Sequence, residues 1–457
     1  MGSSRAPDGP SVVVPATTVP STVACLRSLG SAGIRTVVVS ETDVSQAFSS
    51  KYCDEVLTVP DPMSDLLAYR DALLDVAARP DVRTIVPVRE TDVYVLSRYR
   101  AAFREHVSLP VPDVATLRRV HDRLRLAEAA EAAGVPVPDT RLLGDVDEWS
   151  DRRALVKSRY NLLTSAYDES LDPADAVTSD SIEHVGPDER PDVEAIRAEM
   201  GHDPLVQAFV PTDDEFMVGA LYDEGDPLAV FQHRQVRGTS YVGSGGAYRE
   251  SVAIPELEAV ATDLLDELEW HGLACLEYLR DERTGEFALA EINPRMWQSL
   301  ASAVAAGADF PAYYWLQAAG RADEIDPTYD LDVGCHWLKG EFLYATSLFR
   351  YDSPFIDRPS YLGTARDVLG SLVENPRFDY LSVDDPNPFV QEWANFLAEM
   401  AAVDSRQVTP SPRPTPVAPV RSDGDAADGG GYDSVEKEDA GDVTDAERPT
   451  DQTDERS

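Results

Sequence analysis

Apolar and polar positions follow two periods along the first 320 residues. Residues 11–14 form a short apolar run, 22–33 carry apolar side chains at helical spacing and end on Gly33, and 34–40 are apolar again. Strand, helix and strand in that order predict a parallel sheet. A further helix is expected over 66–78 and a strand over 84–88, so residues 1–115 read as a small α/β domain. The first strand-to-helix turn, Pro15-Ala16-Thr17-Thr18-Val19-Pro20, contains no glycine. A dinucleotide fingerprint needs glycine there for the tight turn and for close approach of a pyrophosphate, so NAD and FAD are not expected.

Residues 116–133 predict one helix closed by Gly134, and Val135-Pro136-Val137-Pro138 breaks the pattern. Strands follow over 153–157, 205–211, 215–222 and 228–236, with helices near 193–200 and over 255–268. Two strands, 272–279 and 286–293, surround a turn, and a helix is expected near 297–307. The segments 116–200 and 201–320 are therefore mixed α+β. Trp, Tyr and Phe recur through 321–402, which reads as a folded extension that completes a pocket or forms a homodimer face. From 403 onward the pattern dissolves. Residues 421–457 hold 13 acidic and 4 basic residues, with Tyr432 the only aromatic. Such a segment buries too little apolar surface to offset its ordering entropy and is expected to be a disordered acidic tail.

Charge narrows the partners. The 457 residues carry 82 acidic and 40 basic side chains, a net charge of −42. A phosphate-backbone binder needs a basic face, so nucleic acid is not an expected partner, and neither is an anionic membrane. No apolar run approaches a membrane span, and the N-terminus leads into no long apolar stretch, so a cytoplasmic protein is expected. Only Lys51, Lys157, Lys339 and Lys437 are lysines; the other 36 basic residues are arginines. High acidity with scarce lysine fits a salt-filled cytosol, where a short Debye length screens the self-repulsion. GC-rich codon bias explains the arginines but not the acid. Cys25, Cys53, Cys275 and Cys335 are scattered, which supports neither a disulfide framework nor a zinc site.

The sharpest chemical signal surrounds Thr284. Glu277 and Glu291 each lie seven residues from it, so an odd-numbered loop centred there sets them directly opposite, with Cβ atoms about 4.5–5.5 Å apart. Asn293 points to the same face. Opposed carboxylates in an otherwise apolar hairpin repel and need compensation. Carboxylate and amide oxygens suit Mg²⁺ or Mn²⁺. The alternative is a solvated face on an acidic protein, and an even-numbered loop would shift the register. Arg295 follows, placed to stabilise a transferring group or simply structural. Lys157 ends an apolar strand, where a compact ammonium suits phosphate oxygens.

The order of these pieces resembles the ATP-grasp superfamily, and within it predicted carboxylate–amine ligases. The resemblance covers roughly residues 11–320 and rests on 118–140, 154–157, 206–215 and 272–297, with Glu-Ile-Asn-Pro-Arg at 291–295 the most specific part. It implies a two-lobed fold, with a small lobe over 116–200 and a large lobe over 201–320. It implies ATP between them, with Glu277, Glu291 and Asn293 on Mg²⁺ and Lys157 and Arg123 on phosphates. Gln207, Phe209 and Val210 would meet the adenine, Glu215 the ribose, and Arg295, Arg234 and Arg237 the reacting groups. The implied reaction joins a small-molecule carboxylate to an amine through an acyl phosphate, with release of ADP. Two other readings are a non-catalytic nucleotide-binding scaffold and a bicarbonate-activating carboxylase. One departure stands out: Ser158–Leu163 contains no glycine where many relatives carry a glycine-rich flap, so either Arg159 replaces it or the flap is lost.

Overall fold

The computed structural model describes residues 9–146, 153–178, 182–187, 190–212, 214–243, 245–352 and 356–405. The expected acidic tail lies outside them, except that 403–405 close the last helix. The fold is α/β at the N-terminus and α+β beyond.

The first sheet takes β1 (Ser11–Pro15), β2 (Arg35–Ser40), β3 (Glu55–Thr58) and β4 (Val82–Ile85) in the order β3-β2-β1-β4, all parallel. Val12–Val14 and Val37–Val39 are buried on both faces, which is why they read as unbroken apolar runs. Helix α1 (Pro20–Ser31) starts with proline, whose missing N–H costs nothing in the first turn. Helix α2 (Leu66–Ala77) is capped by Asp65, which accepts from the Ala68 N–H. Helices α3 (Glu90–Arg98) and α4 (Arg100–Arg104) complete this part.

The single helix expected over 116–133 is two, α5 (Val114–His121) and α6 (Arg123–Ala132). Asp122 breaks it. Its backbone is extended, and its carboxylate caps Leu124 N–H and binds the Arg159 guanidinium at 2.6 and 2.9 Å. Helical periodicity runs through the break because both halves pack on the same core.

A second sheet combines β5 (Thr140–Leu142), β6 (Ala154–Lys157), β9 (Ile182–Val185) and β10 (Leu205–Ala208), in the order β5-β10-β6-β9. Strands β7 (Leu163–Thr164) and β8 (Ala176–Val177) pair beside it, and α7 (Val193–Met200) precedes β10. The third sheet holds β11 (Glu215–Asp223), β12 (Asp226–Gly238), β13 (Gly246–Val252), β14 (Gly272–Arg280), β15 (Phe287–Asn293) and β16 (Gly334–His336), in the order β15-β14-β11-β12-β13-β16. Helix α8 (Pro255–Glu267) connects β13 to β14, while α9 (Leu300–Ala305) and α10 (Phe310–Ala318) follow β15. The chain after residue 320 therefore supplies an edge strand, β16, before its own helices α11 (Leu338–Arg350), α12 (Tyr361–Glu374) and α13 (Asn387–Ser405).

Two glycines are required by contact. Gly272 opens β14 at φ +92°, and a Cβ there would stand 2.3 Å from the Pro110 carbonyl oxygen. A Cβ on Gly219 would meet the Trp297 ring at 2.6 Å, so the bare backbone seats the indole against the sheet.

Candidate functional site

Glu277 and Glu291 are direct partners across β14 and β15, but not through a loop centred on Thr284. At the loop end Arg280 pairs with Phe287, which leaves an even loop of six residues. Ala290 is then bulged out between the Tyr278–Leu289 and Glu277–Glu291 pairs, and the bulge restores the register.

Successive register pairs fix what shares the face. Glu291, Glu277, Met217, His233 and Ser251 form one row across five strands. Asn293 and Cys275 stand in the next row. Arg234 pairs with Phe216, which pairs with Tyr278, so it lies on the opposite face and bonds weakly to Asp214 and Glu250. Arg237 follows a bulge and is bound to Glu341 of α11 at 2.9 and 3.0 Å, and to Ser371. Neither arginine joins the carboxylate pair, contrary to expectation. Residue parity along β12 put Arg234 on the wrong side, and the C-terminal extension claims Arg237.

Cations reach the pair from three directions. Arg123, at the start of α6, donates to Glu291 at 3.2 Å and to the Ser158 carbonyl at 2.9 Å. Lys157 ends β6 nearby; burial and then Arg123 lower its ammonium to about 8, against the pull of Glu291 and Glu277. Arg295 donates to Asn293 Oδ1 at 3.2 Å and to Glu90 at 2.6 Å. Asn293 Nδ2 in turn donates to Glu277 at 3.4 Å, and Asn161 Nδ2 donates to Glu291 at 3.2 Å.

Glu90, His121 and Asn161 belong to this network and had no readable signal. Glu90 is 205 positions from Arg295, and only the folded chain brings them together. Burial alone would raise the Glu90 carboxyl; Arg295 and a 2.9 Å hydrogen bond to His121 instead hold it below its ordinary value.

The loop after Lys157 is strapped down rather than open. Arg123 N–H donates to Arg159 carbonyl, Asn161 N–H donates to His121 carbonyl, and the Arg159 side chain is held by Asp122. Arg159 is thus committed to Asp122 rather than presented as a substitute for a glycine flap.

The remaining predicted residues line the cleft or its edge. Gln207 is buried and donates to Thr140 at 3.0 Å. Phe209 and Val210 line a cavity of about 610 Å³ that also meets Pro136–Pro138 and Ala288. Glu215 borders a different cavity and accepts from Gln235, and burial raises its carboxyl.

Glu277 is open to solvent at the cleft floor, with Glu291 and Met217 beside it on the neighbouring strands and Cys275 and Asn293 in the next row. Burial of its charge and then repulsion from Glu291 raise its carboxyl from 4.5 to about 7. Between those two values the folded chain keeps a proton that the unfolded chain has released. Stability contributed by that proton is lost as pH rises through the window. In EDTA, wild type should lose stability relative to Glu277→Gln between about pH 4.5 and 7. Thermal melts across that range check it, and parallel pH curves for the two proteins would count against an enforced carboxylate pair.

The donor set is two carboxylates and an amide, all hard oxygen. Among the described residues no third acidic, His or Cys side chain joins them. That fits Mg²⁺, which commonly uses one or two carboxylates and takes its other ligands from phosphates and water.

No protein-family model matches the chain, and no curated protein does. Solved structures do. A Rhizobium etli pyruvate carboxylase is similar over 71% of this chain, at 15% identity and a TM-score of 0.51; the chain spans 29% of that protein's length. The biotin carboxylase domain of Hydrogenobacter thermophilus 2-oxoglutarate carboxylase, a dimer solved with MgADP, ADP and bicarbonate, is similar at 15% identity and a TM-score of 0.52, over 71% of this chain and 73% of that one. The L-amino acid ligase of Bacillus licheniformis is similar at 14% identity and a TM-score of 0.50, over 70% of this chain and 78% of that one. With its N-terminal parallel sheet, its four-stranded and six-stranded antiparallel sheets and these neighbours, the chain has the ATP-grasp fold.

Proposed function

We propose that the chain is an ATP-dependent, ADP-forming ligase that activates a carboxylate as an acyl phosphate for attack by an amine. The observation that carries this is the opposed Glu277–Glu291 pair, ringed by Lys157, Arg123 and Arg295. Glu277, Glu291 and Asn293 would hold Mg²⁺, which supplies charge neutralisation at the nucleotide phosphates. Lys157 and Arg123 bind phosphate oxygens, Gln207, Phe209 and Val210 border the adenine, and Glu215 faces the ribose. We assign the small lobe to 116–200, the large lobe to 201–320 and a supporting extension to 321–402.

A substrate carboxylate oxygen attacks the γ-phosphorus. An O–P bond forms, the bond to the β-bridging oxygen breaks, and ADP leaves with that electron pair. The amine nitrogen then attacks the acyl carbon, the C–O bond to phosphate breaks, and the surplus proton on nitrogen passes to phosphate or water. Arg295 neutralises charge on the transferring group, and its bond to Glu90 fixes the fork's direction. Positioning and charge neutralisation account for the catalysis, as in other phosphoryl transfers.

ADP release from ATP and Mg²⁺ in molar KCl, across a panel of acids with hydroxylamine as nucleophile, tests this reading. Acid-dependent ADP release supports it, and tight ATP binding with no release across the panel contradicts it. The likeness to biotin carboxylase domains favours one second reading, activation of bicarbonate; ADP release stimulated by bicarbonate alone would select it.

We infer a cytosol rich in salt from the net charge of −42. At about 1 M salt the Debye length falls to about 3 Å, so the thermal midpoint should climb by several degrees between 0.1 and 2 M KCl. A flat or falling midpoint would refute the inference. Among the described residues no helix is long and apolar enough to cross a membrane.

A further inference from the structure

Two cavities flank the carboxylate pair, and they differ in charge. One, of about 480 Å³, lies at the C-terminal ends of the parallel strands and is lined by Arg89, Arg123, Arg295, Glu291 and Asn293 among others. Of its four acids, Glu41, Glu90 and Glu291 are bonded to Arg89, Arg295 and Arg123, and Asp61 accepts from the Met63 N–H and the Ser64 hydroxyl, while Arg123 keeps a buried Nε–H without a partner. That Nε–H is the donor left for an anion. The other, of about 320 Å³, lies over the sheet face that carries Glu277 and, among the described residues, has no Lys or Arg in its lining. Gln298 borders both.

In the proposed reading, the end of the smaller cavity toward Glu215 and Leu279 belongs to the nucleotide. Its other end is bounded by His233, Gly245, Trp297, Gln298 and Ser299, and no step above uses it. His233 sits in the Glu277 row, two strands away, or about 10 Å across the sheet. Its Nε2 shares a 2.9 Å hydrogen bond with Ser299 Oγ, and its Nδ1 is buried without a partner. Burial and then the neighbouring Arg249 push the imidazole down to about 3, so it is neutral at any working pH. A neutral imidazole can accept a hydrogen bond from the Ser299 hydroxyl, which leaves the serine lone pairs for an N–H donor. Ser299 itself is only partly buried, at the cavity wall.

We propose that this end of the smaller cavity binds the amine substrate, with Ser299 contacting the nucleophilic nitrogen and His233 positioning the Ser299 hydroxyl, while the acid occupies the arginine-lined cavity. The lining selects a nitrogen nucleophile: its fixed groups are carboxylates, amide oxygens and a hydroxyl, with no cation to attract a second carboxylate. The two substrates then approach the acyl phosphate from opposite sides of the Glu277–Glu291 pair. This assignment rests on the ligase reading.

Steady-state ADP release tests it, with ethanolamine as the nucleophile. Ser299→Ala and His233→Phe should raise the KM for ethanolamine ten-fold or more, with the KM for ATP and for the acid moved less than two-fold. Ser299→Thr, which keeps the hydroxyl, should restore the ethanolamine KM. An unchanged ethanolamine KM in Ser299→Ala, or an equal rise in the KM for ATP and for the acid, overturns the assignment. Wild type that releases no ADP with any acid and nucleophile overturns the ligase reading itself, and this site with it.

Discussion

Glu291→Gln should lower Mg²⁺-dependent ADP formation by about 100-fold or more, since loss of groups that merely support a metal ligand already costs about 10–100-fold. The substitution is nearly isosteric. Its amide oxygen still accepts from Asn161, which donates to Glu291 at 3.2 Å, so the local packing is kept. What disappears is one negative charge facing Glu277 and one partner of Arg123. With the repulsion gone, the Glu277 carboxyl should return toward its ordinary value. The fold should melt at the wild-type temperature or above it in EDTA, while the gain in stability that wild type receives from Mg²⁺ and ATP should vanish. Activity within two-fold of wild type would remove Glu291 from the site.

Asp379→Ala should be the most damaging single change to stability. Asp379 and Arg249 are both fully buried, and they are joined at 2.8 Å. Without the carboxylate, the Arg249 guanidinium keeps only long bonds of 3.3 and 3.4 Å to the Gly246 and Ala247 carbonyls, and its Nε already has no partner. Breaking a buried pair by removing one member typically costs about 3–5 kcal/mol, because a charge is left buried alone. The paired change Arg249→Met with Asp379→Leu should recover most of that loss, since an apolar replacement of a buried ion pair is often neutral or better. Denaturation in molar KCl checks both, and a single variant as stable as wild type would show that the pair is dispensable. The pair also touches the site. A Cβ on Gly246 would stand 2.9 Å from the Arg249 side chain, and Gly246 lines the smaller cavity. The extension beyond residue 320 therefore holds a cavity wall in place through Asp379.

Local patterns in the sequence anticipated much of this. Continuous valine runs marked the buried parallel strands, and the residue-193 helix and both site strands were found close to their observed bounds. The Glu277–Glu291 pairing was anticipated for a reason that does not hold: the six-residue loop is corrected by a bulge at Ala290, and nothing about an alanine announces a bulge. Arg234 illustrates the opposite case. Its side of the sheet depends on the β11–β12 register, which a basic residue in a mixed stretch does not reveal. The Glu90–Arg295 and Arg249–Asp379 bonds join elements 205 and 130 residues apart, and β16 reaches its sheet from the far end of the chain. Such contacts come from tertiary packing, which periodicity along the chain does not encode.

In the proposed reading, Glu277 and Glu291 face each other because a divalent cation held to nucleotide phosphates belongs between them. A crystal structure of the full chain with Mn²⁺ and a non-hydrolysable ATP analogue, with the metal located by its anomalous signal, measures this most directly. A peak is expected about 2.0–2.5 Å from oxygens of both carboxylates and of the analogue's phosphates. Nucleotide bound in the cleft with its metal away from both side chains would contradict it.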